Sequence, residues 1–150
     1  MIVNLGKFST MTSQIIYKGA LRTEAKHLQS GTVIETDAPL DNQGKAERFS
    51  PTDLLATSLG NCMMTIMGIK ARAMEIDLTD TRIDILKIMK AEPRRVGGIN
   101  VAFHFPEHLL LTDKEQAILK NAALTCPVAK SIHPDIELDV QFNWPAAFSL

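Results

Sequence analysis

The chain has 150 residues, 45% of them hydrophobic and 22% charged, with a formal net charge of -1. That length buries a substantial core as one domain, expected over residues 1–150, and the near-neutral charge supplies no electrostatic reason for a nucleic-acid or anionic-membrane partner. Two cysteines without a Cys-x-x-Cys spacing exclude a disulfide scaffold and a zinc ribbon.

The first ten residues lack the basic start and long apolar run of a secretory signal. Met11 opens a strand-like stretch, so residues 1–12 read as a loose leader or an alternative start. The expected location is a reducing cytoplasm, where a disulfide is catalytic rather than structural. From Gln14 to Asp37 the pattern suits strands: Ile15-Ile16-Tyr17 leading into Gly19, a second run continuing through Leu21, and the β-branched run Thr32 to Thr36. Residues Ala38 to Ser50, with Pro39, Asp41, Asn42 and Gly44, read as a loop carrying Lys45, Glu47 and Arg48 up to a helix start.

Ser50-Pro51-Thr52-Asp53 is that start. Ser50 suits the N-cap, Pro51 the first helical position, and Asp53 the positive end of the dipole. The helix is expected to run to about Met74. No residue from Leu54 to Ile69 carries a charge, and a helix with no polar face is central or covered by another subunit. The uncharged stretch is short for a membrane span and holds Thr57, Ser58, Gly60, Asn61 and Thr65, which favours a buried helix.

Thr81 to Lys90 alternates, with Ile83, Ile85, Leu86 and Ile88 as candidate inward residues. A turn over Glu92-Pro93 to Gly97-Gly98 then leads into Ile99 to Phe105, completing a hairpin. Thr112-Asp113-Lys114-Glu115 is a capping-box sequence opening a second helix, Pro127 starts a third, and Ile136 to Trp144 alternates as a final strand. Strands, buried helix, hairpin, helix pair and strand make an α+β domain.

Both cysteines have plain structural readings. Leu55, Leu59, Cys62 and Ile66 share one helical stripe, and a free cysteine often serves as a small buried hydrophobe. Cys62 lies too far from the helix start for the dipole to help, so a reactive thiolate there needs a cation from elsewhere. Cys126 precedes a Pro-started helix, where unpaired backbone amides stabilise a thiolate; it would equally plug a helix junction.

The phrases around the two cysteines go further. Pro51-Thr52-Asp53-Leu54-Leu55-Ala56-Thr57-Ser58-Leu59-Gly60-Asn61-Cys62 resembles the first signature of the OsmC/Ohr family, and Ala122-Ala123-Leu124-Thr125-Cys126-Pro127-Val128-Ala129-Lys130-Ser131-Ile132 resembles the second. The resemblance extends from about Ile15 to Trp144. It implies the OsmC-like fold, with antiparallel sheets wrapped around a central buried helix in an intertwined homodimer whose two active sites lie at the subunit interface. It also implies a chemistry without a cofactor. Cys62 attacks an organic hydroperoxide to give a sulfenic acid and an alcohol, Cys126 condenses with it to a disulfide, and a cellular dithiol restores both thiols.

One position departs from the family pattern. The carboxylate that follows the helix-opening proline and orients an arginine toward the thiolate is Thr52 in this chain. Arg48 is the nearest candidate for that arginine and Arg22 the second; Arg48 beside Glu47 also reads as a solvated pair. His104 and His108 are not spaced as helix ligands, and no metal site is expected. His133 suits a helix C-cap, with the Cys126 region as its alternative neighbour. Met63, Met64 and Met67 suit core filling or the lining of an apolar pocket. Two functions other than a peroxidase fit the same residues. One is a non-catalytic dimer binding an apolar small molecule, favoured by Thr52. The other is a Cys62 acyl-transfer enzyme, which would need a histidine base.

Overall fold

The computed structural model describes residues 11–146, so the leader expected before Met11 lies outside the described residues. In chain order its elements are β1 (Ser13–Gly19), β2 (Arg22–His27), β3 (Val33–Asp37), a 3-10 turn (Leu40–Asn42), α1 (Pro51–Ala73), β4 (Arg82–Ala91), β5 (Arg94–His104), α2 (Asp113–Leu124), α3 (Pro127–Ser131) and β6 (Glu137–Asn143). The mixed α+β class follows from that order. Two compact units meet in sequence at Leu54 and Leu55, within the first turns of α1.

The first unit is an antiparallel sheet in the order β1-β2-β3. Ala20 and Leu21 turn the β1–β2 hairpin with positive φ (50° and 62°), the twist that joins adjacent strands tightly. Its register sets Ile15, Ala25 and Ile34 side by side, with Tyr17 on the same face. That face is open: Ile15 is 67% exposed and Tyr17 63%. Among the described residues of this unit those buried are Thr36, Asp37 and Ser50, all polar, so the described residues place no apolar core beneath that face. The segment after β3 folds back on the sheet, the Asp37 N–H donating to the Phe49 carbonyl at 3.1 Å and the Ala38 N–H to that of Leu21 at 3.2 Å. It ends in a reciprocal cap. The Asp53 N–H donates to Ser50 Oγ at 3.1 Å and the Ser50 N–H to Asp53 Oδ2 at 2.8 Å, which launches α1 where the sequence leads one to expect it.

The second unit packs the rest of α1 against a sheet ordered β4-β5-β6. Ala56, Leu59, Gly60, Met63, Met67 and Ala71 form the buried helical stripe. Gly60 allows the closest approach to the sheet, since a Cβ there would stand 2.6 Å from Ile85 Cδ1. β4 alternates strictly, and this corrects one expectation. Ile83 and Ile85 face the core, but Leu86 and Ile88, 57% and 44% exposed, lie on the outer face. A second correction concerns Gly97 and Gly98, which belong to β5 rather than to the turn. The register slips between Ile88 and Met89, leaving Gly97 as the extra residue of a β-bulge, and a Cβ on it would stand 2.4 Å from Lys90 Cγ. The hairpin therefore turns tightly at Glu92-Pro93.

β6 lies parallel to β5, so this sheet is mixed rather than wholly antiparallel. Parallel neighbours need a long crossover, and α2 with α3 provides it. The register stacks Phe142 on Phe103 with ring centroids 4.9 Å apart, and Trp144 stacks on Phe105 at 3.8 Å. α2 opens with the capping box read in the sequence: Glu115 N–H to Thr112 Oγ1, and Thr112 N–H to Glu115 Oε2 at 2.8 Å.

Candidate functional site

Both cysteines belong to the core of the second unit. Cys62 sits in α1 between the buried Leu59 and Met63 and is itself half-buried. Cys126 is the N-cap of α3, between α2 and the Pro127 turn, and is fully buried. Proline at the first position of α3 fixes the chain so that the following amides point back at the cap residue. The Ala129 N–H donates to Cys126 Sγ at 3.3 Å, and the Val128 N–H supports it.

Both thiols are free, and the Cys62 side chain is one of the groups that shift the Cys126 thiol. Burial pushes the Cys126 thiol above its ordinary range, because a thiolate there would lose its hydration. The Ala129 N–H acts against this. The Cys62 side chain raises it further, as a hydrogen-bond partner and then as a like charge, and the Val128 N–H offsets a little. Cys126 is thus held toward its protonated form. Val128, Ala129 and Ile132 pack against the core around it, so its surroundings are apolar apart from the amides.

Both candidate arginines belong to the first unit. Arg48 donates from Nε to Glu35 Oε2 at 2.7 Å and from Nη1 to the Glu47 carbonyl at 3.0 Å. Arg22 makes a bidentate pair with Asp37, Nε to Oδ1 at 2.7 Å and Nη2 to Oδ2 at 2.8 Å, and Nη2 also reaches Glu47 Oε2 at 2.7 Å. Asp37 is 3% exposed and additionally accepts the Glu47 N–H at 3.1 Å. The Arg22 hydrogen bonds hold the Asp37 carboxyl well below the usual carboxylate range, and Asp37 followed by Glu47 pushes Arg22 further up. Asp37 escaped the sequence reading, and Glu47, read there as the partner of Arg48, pairs its carboxylate with Arg22 while Arg48 pairs with Glu35. The signal was the strand register, which makes Arg22 and Asp37 direct cross-strand partners. Thr52 follows Pro51 in α1, its hydroxyl 3.2 Å from Ser50 Oγ.

The histidines are engaged elsewhere. His104 Nε2 lies 3.0 Å from the Asp84 carboxylate across the β4–β5 pair. His133 is exposed and accepts the Asp135 N–H at 3.1 Å, while the residue capping α3 is Ile132. Among the described residues no group of histidine, cysteine and carboxylate side chains could hold a metal ion. Met63 and Met67 are fully buried core. Met64 instead lines a cleft of about 630 Å³ along the second half of α1 with Ile69, Arg72 and Ile76; Cys62 is not among its lining residues.

Comparison with known proteins gives a consistent picture. The family model described as OsmC-like protein matches residues 44–141. A crystal structure from Psychrobacter arcticus, of a protein described as belonging to osmotic stress induction and the detoxification response, is 59% identical. It superposes with a TM-score of 0.85 over 89% of this chain and 96% of that one. An organic hydroperoxide resistance protein from Legionella pneumophila shares the fold at 16% identity and a TM-score of 0.67, over 89% of this chain and 98% of that one. One from Bacillus subtilis does so at 15% identity and a TM-score of 0.59, with the same coverage. No curated protein is matched by its sequence.

Proposed function

The chain belongs to the OsmC-like protein family, and on that premise we propose that it is a thiol-dependent peroxidase reducing organic hydroperoxides in the cytoplasm. The observation that supports this reading is a pair of free thiols in one core, Cys126 within it at the α2–α3 junction and Cys62 of α1 packed against it. In the reaction the Cys62 thiolate attacks the hydroperoxide, the O–O bond breaks, and Cys62 becomes a sulfenic acid while the alcohol leaves. Cys126 then displaces the hydroxyl as water and forms the Cys62–Cys126 disulfide. A dithiol reductant of the cell returns both sulfurs to thiols, with no cofactor needed.

A homodimer is part of the proposal. The open face bearing Ile15, Tyr17 and Ile34 requires a cover, and apolar area of that kind contributes about 25 cal/mol per Å² when buried. A second copy of the chain is the cover we infer. Arg48 is proposed as the cation for the Cys62 thiolate, and Arg22 as its alternative. Mixing the reduced protein with one equivalent of an alkyl hydroperoxide and counting free thiols tests the reading. The wild type is expected to lose two thiols per chain, the Cys126→Ser protein one, and the Cys62→Ser protein none. Unchanged thiols in the wild type would sink the peroxidase. The second reading, a non-catalytic dimer that binds an apolar small molecule, would then take its place. It is favoured by Thr52 and by the engagement of Arg22 and Arg48 with carboxylates of their own unit.

A further inference from the structure

We propose that the cleft between α2 and β6 is a binding site for a planar aromatic cation of the pyridinium class, stacked on Trp144 with its charge facing Asp113. The site is separate from the two cysteines, and binding there does not depend on the peroxidase reading.

Four rings on β5 and β6 form two layers. Across the strands, Phe142 stacks on Phe103 with centroids 4.9 Å apart and Trp144 on Phe105 at 3.8 Å, with interplanar angles of 3° and 7°. Along the strands the centroids are 6.0 Å and 6.3 Å apart at 10° and 11°, so the two rings of each layer lie side by side. Phe103 and Phe105 are the buried layer, while Phe142 and Trp144 are half-buried. β6 is the edge of its sheet, so no further strand of that sheet supplies a third layer. A planar ring added there would continue a stack whose geometry is already set, since aromatic rings favour parallel, offset contact.

Phe142 and Trp144 line a cleft of about 320 Å³ whose other wall is Asp113, Gln116, Ala117 and Lys120, one stripe of α2. That volume suits a small ligand. The polar groups of the cleft select its charge. Lys120 Nζ stands 5.7 Å from the Phe142 centroid, so that ring already has its cation. Trp144 has none among the described residues, although indole is the ring that holds a cation best. The Asp113 carboxylate has no ion-pair or hydrogen-bond partner among the described residues. Gln116 donates from Nε2 to the Leu111 carbonyl at 3.2 Å, which leaves its Oε1 as an acceptor. A π face, a carboxylate and an amide oxygen all favour a cation. Asp113 and Lys120 are about 10 Å apart along the helix, at 1.5 Å per residue, so a charge held at Asp113 is largely screened from Lys120. A ligand anion would need Lys120, at the expense of its contact with Phe142, and would share the cleft with Asp113.

The test uses three probes on the wild-type protein: 1-methylpyridinium, benzoate as a ring of opposite charge, and tetramethylammonium as a cation without a ring. Trp144 is the only tryptophan of the chain, so its indole N–H gives one resonance to follow by NMR. 1-Methylpyridinium is expected to shift that resonance and to saturate at one ligand per chain. Benzoate and tetramethylammonium are each expected to bind about tenfold more weakly, the preference that a desolvated cation–π contact confers. Ala117 is an exposed helix position where leucine has nearly the same propensity, so Ala117→Leu keeps the fold and fills the cleft. It should abolish the shift, and Asp113→Asn should weaken binding about threefold. A shift that never saturates overturns the proposal, as does undiminished binding to Ala117→Leu. Benzoate binding as tightly as 1-methylpyridinium would refute the cation, and tetramethylammonium doing so would refute the stacked ring.

Discussion

Gly60 offers the sharpest test of how α1 meets the sheet. In an unconfined helix, glycine to alanine stabilises by about 1 kcal/mol, because alanine loses less backbone freedom. At this position the new methyl would stand 2.6 Å from Ile85 Cδ1, 3.4 Å from its Cγ1 and 3.5 Å from Ile83 Cγ2. Carbon atoms prefer roughly 3.5–4.0 Å, so one contact is short by about 1 Å and the other two are tolerable. Crowding of this kind costs about 1–3 kcal/mol, leaving Gly60→Ala net destabilised by about 0–2 kcal/mol. The offending atom is a single δ-methyl, and Ile85→Val removes it at a cost of about 0.5–1.5 kcal/mol. In the Ile85→Val background, Gly60→Ala should then stabilise by up to about 1 kcal/mol, giving a coupling of about 1–3 kcal/mol between the two sites. Urea unfolding of the four proteins at one fixed protein concentration measures this, since self-association would make stability depend on concentration. If Gly60→Ala has the same effect in both backgrounds, the described approach of helix to sheet is wrong.

Two further outcomes follow from the caps and the ion pair. Asp37 has its folded pKa depressed by Arg22, so its contribution is complete above the unfolded value of about 3.9 and is lost as pH falls through the lower folded value. Thermal unfolding of wild type and Asp37→Asn across the acid range should converge as pH drops; curves separated by the same interval at every pH would contradict it. Thr112→Ala removes one half of the α2 capping box and should lower stability by about 1 kcal/mol with an unchanged denaturant slope. An unaltered midpoint would show that the cap contributes nothing.

What the sequence revealed depended on how local the cause was. Ser50-Pro51-Thr52-Asp53 and Thr112 to Glu115 carry their hydrogen-bonding partners within three residues, so both helix starts could be read directly. The setting of Cys126 was legible for the same reason, since Pro127 at the first position of α3 aims the following amides at residue 126. Gly97 and Gly98 misled because glycine marks turns and bulges alike, and only the slipped register between Ile88 and Met89 distinguishes them. Leu86 and Ile88 misled because they are apolar on an outward phase. The parallel placement of β6 left no mark in its own residues; an alternating strand reads the same in either direction. Arg22, Asp37 and Glu47 come together only after β2 and β3 pair, so no short window contains the network.

That parallel placement of β6 also bears on synthesis of the chain. β5 cannot gain its second neighbour until Glu137–Asn143 has been made, long after α1 is complete at Ala73. At typical elongation of about 5–20 residues per second, the delay is on the order of 4–14 s. Throughout it α1, long and apolar enough by composition to cross a membrane, lacks a finished sheet, and Phe103, once made, waits for its ring partner Phe142. The nascent protein thus passes through a stage in which its most hydrophobic segment is displayed on the ribosome. Chaperones that hold apolar helices, or a slowing of translation before residue 137, would act on that stage alone and leave the finished fold untouched.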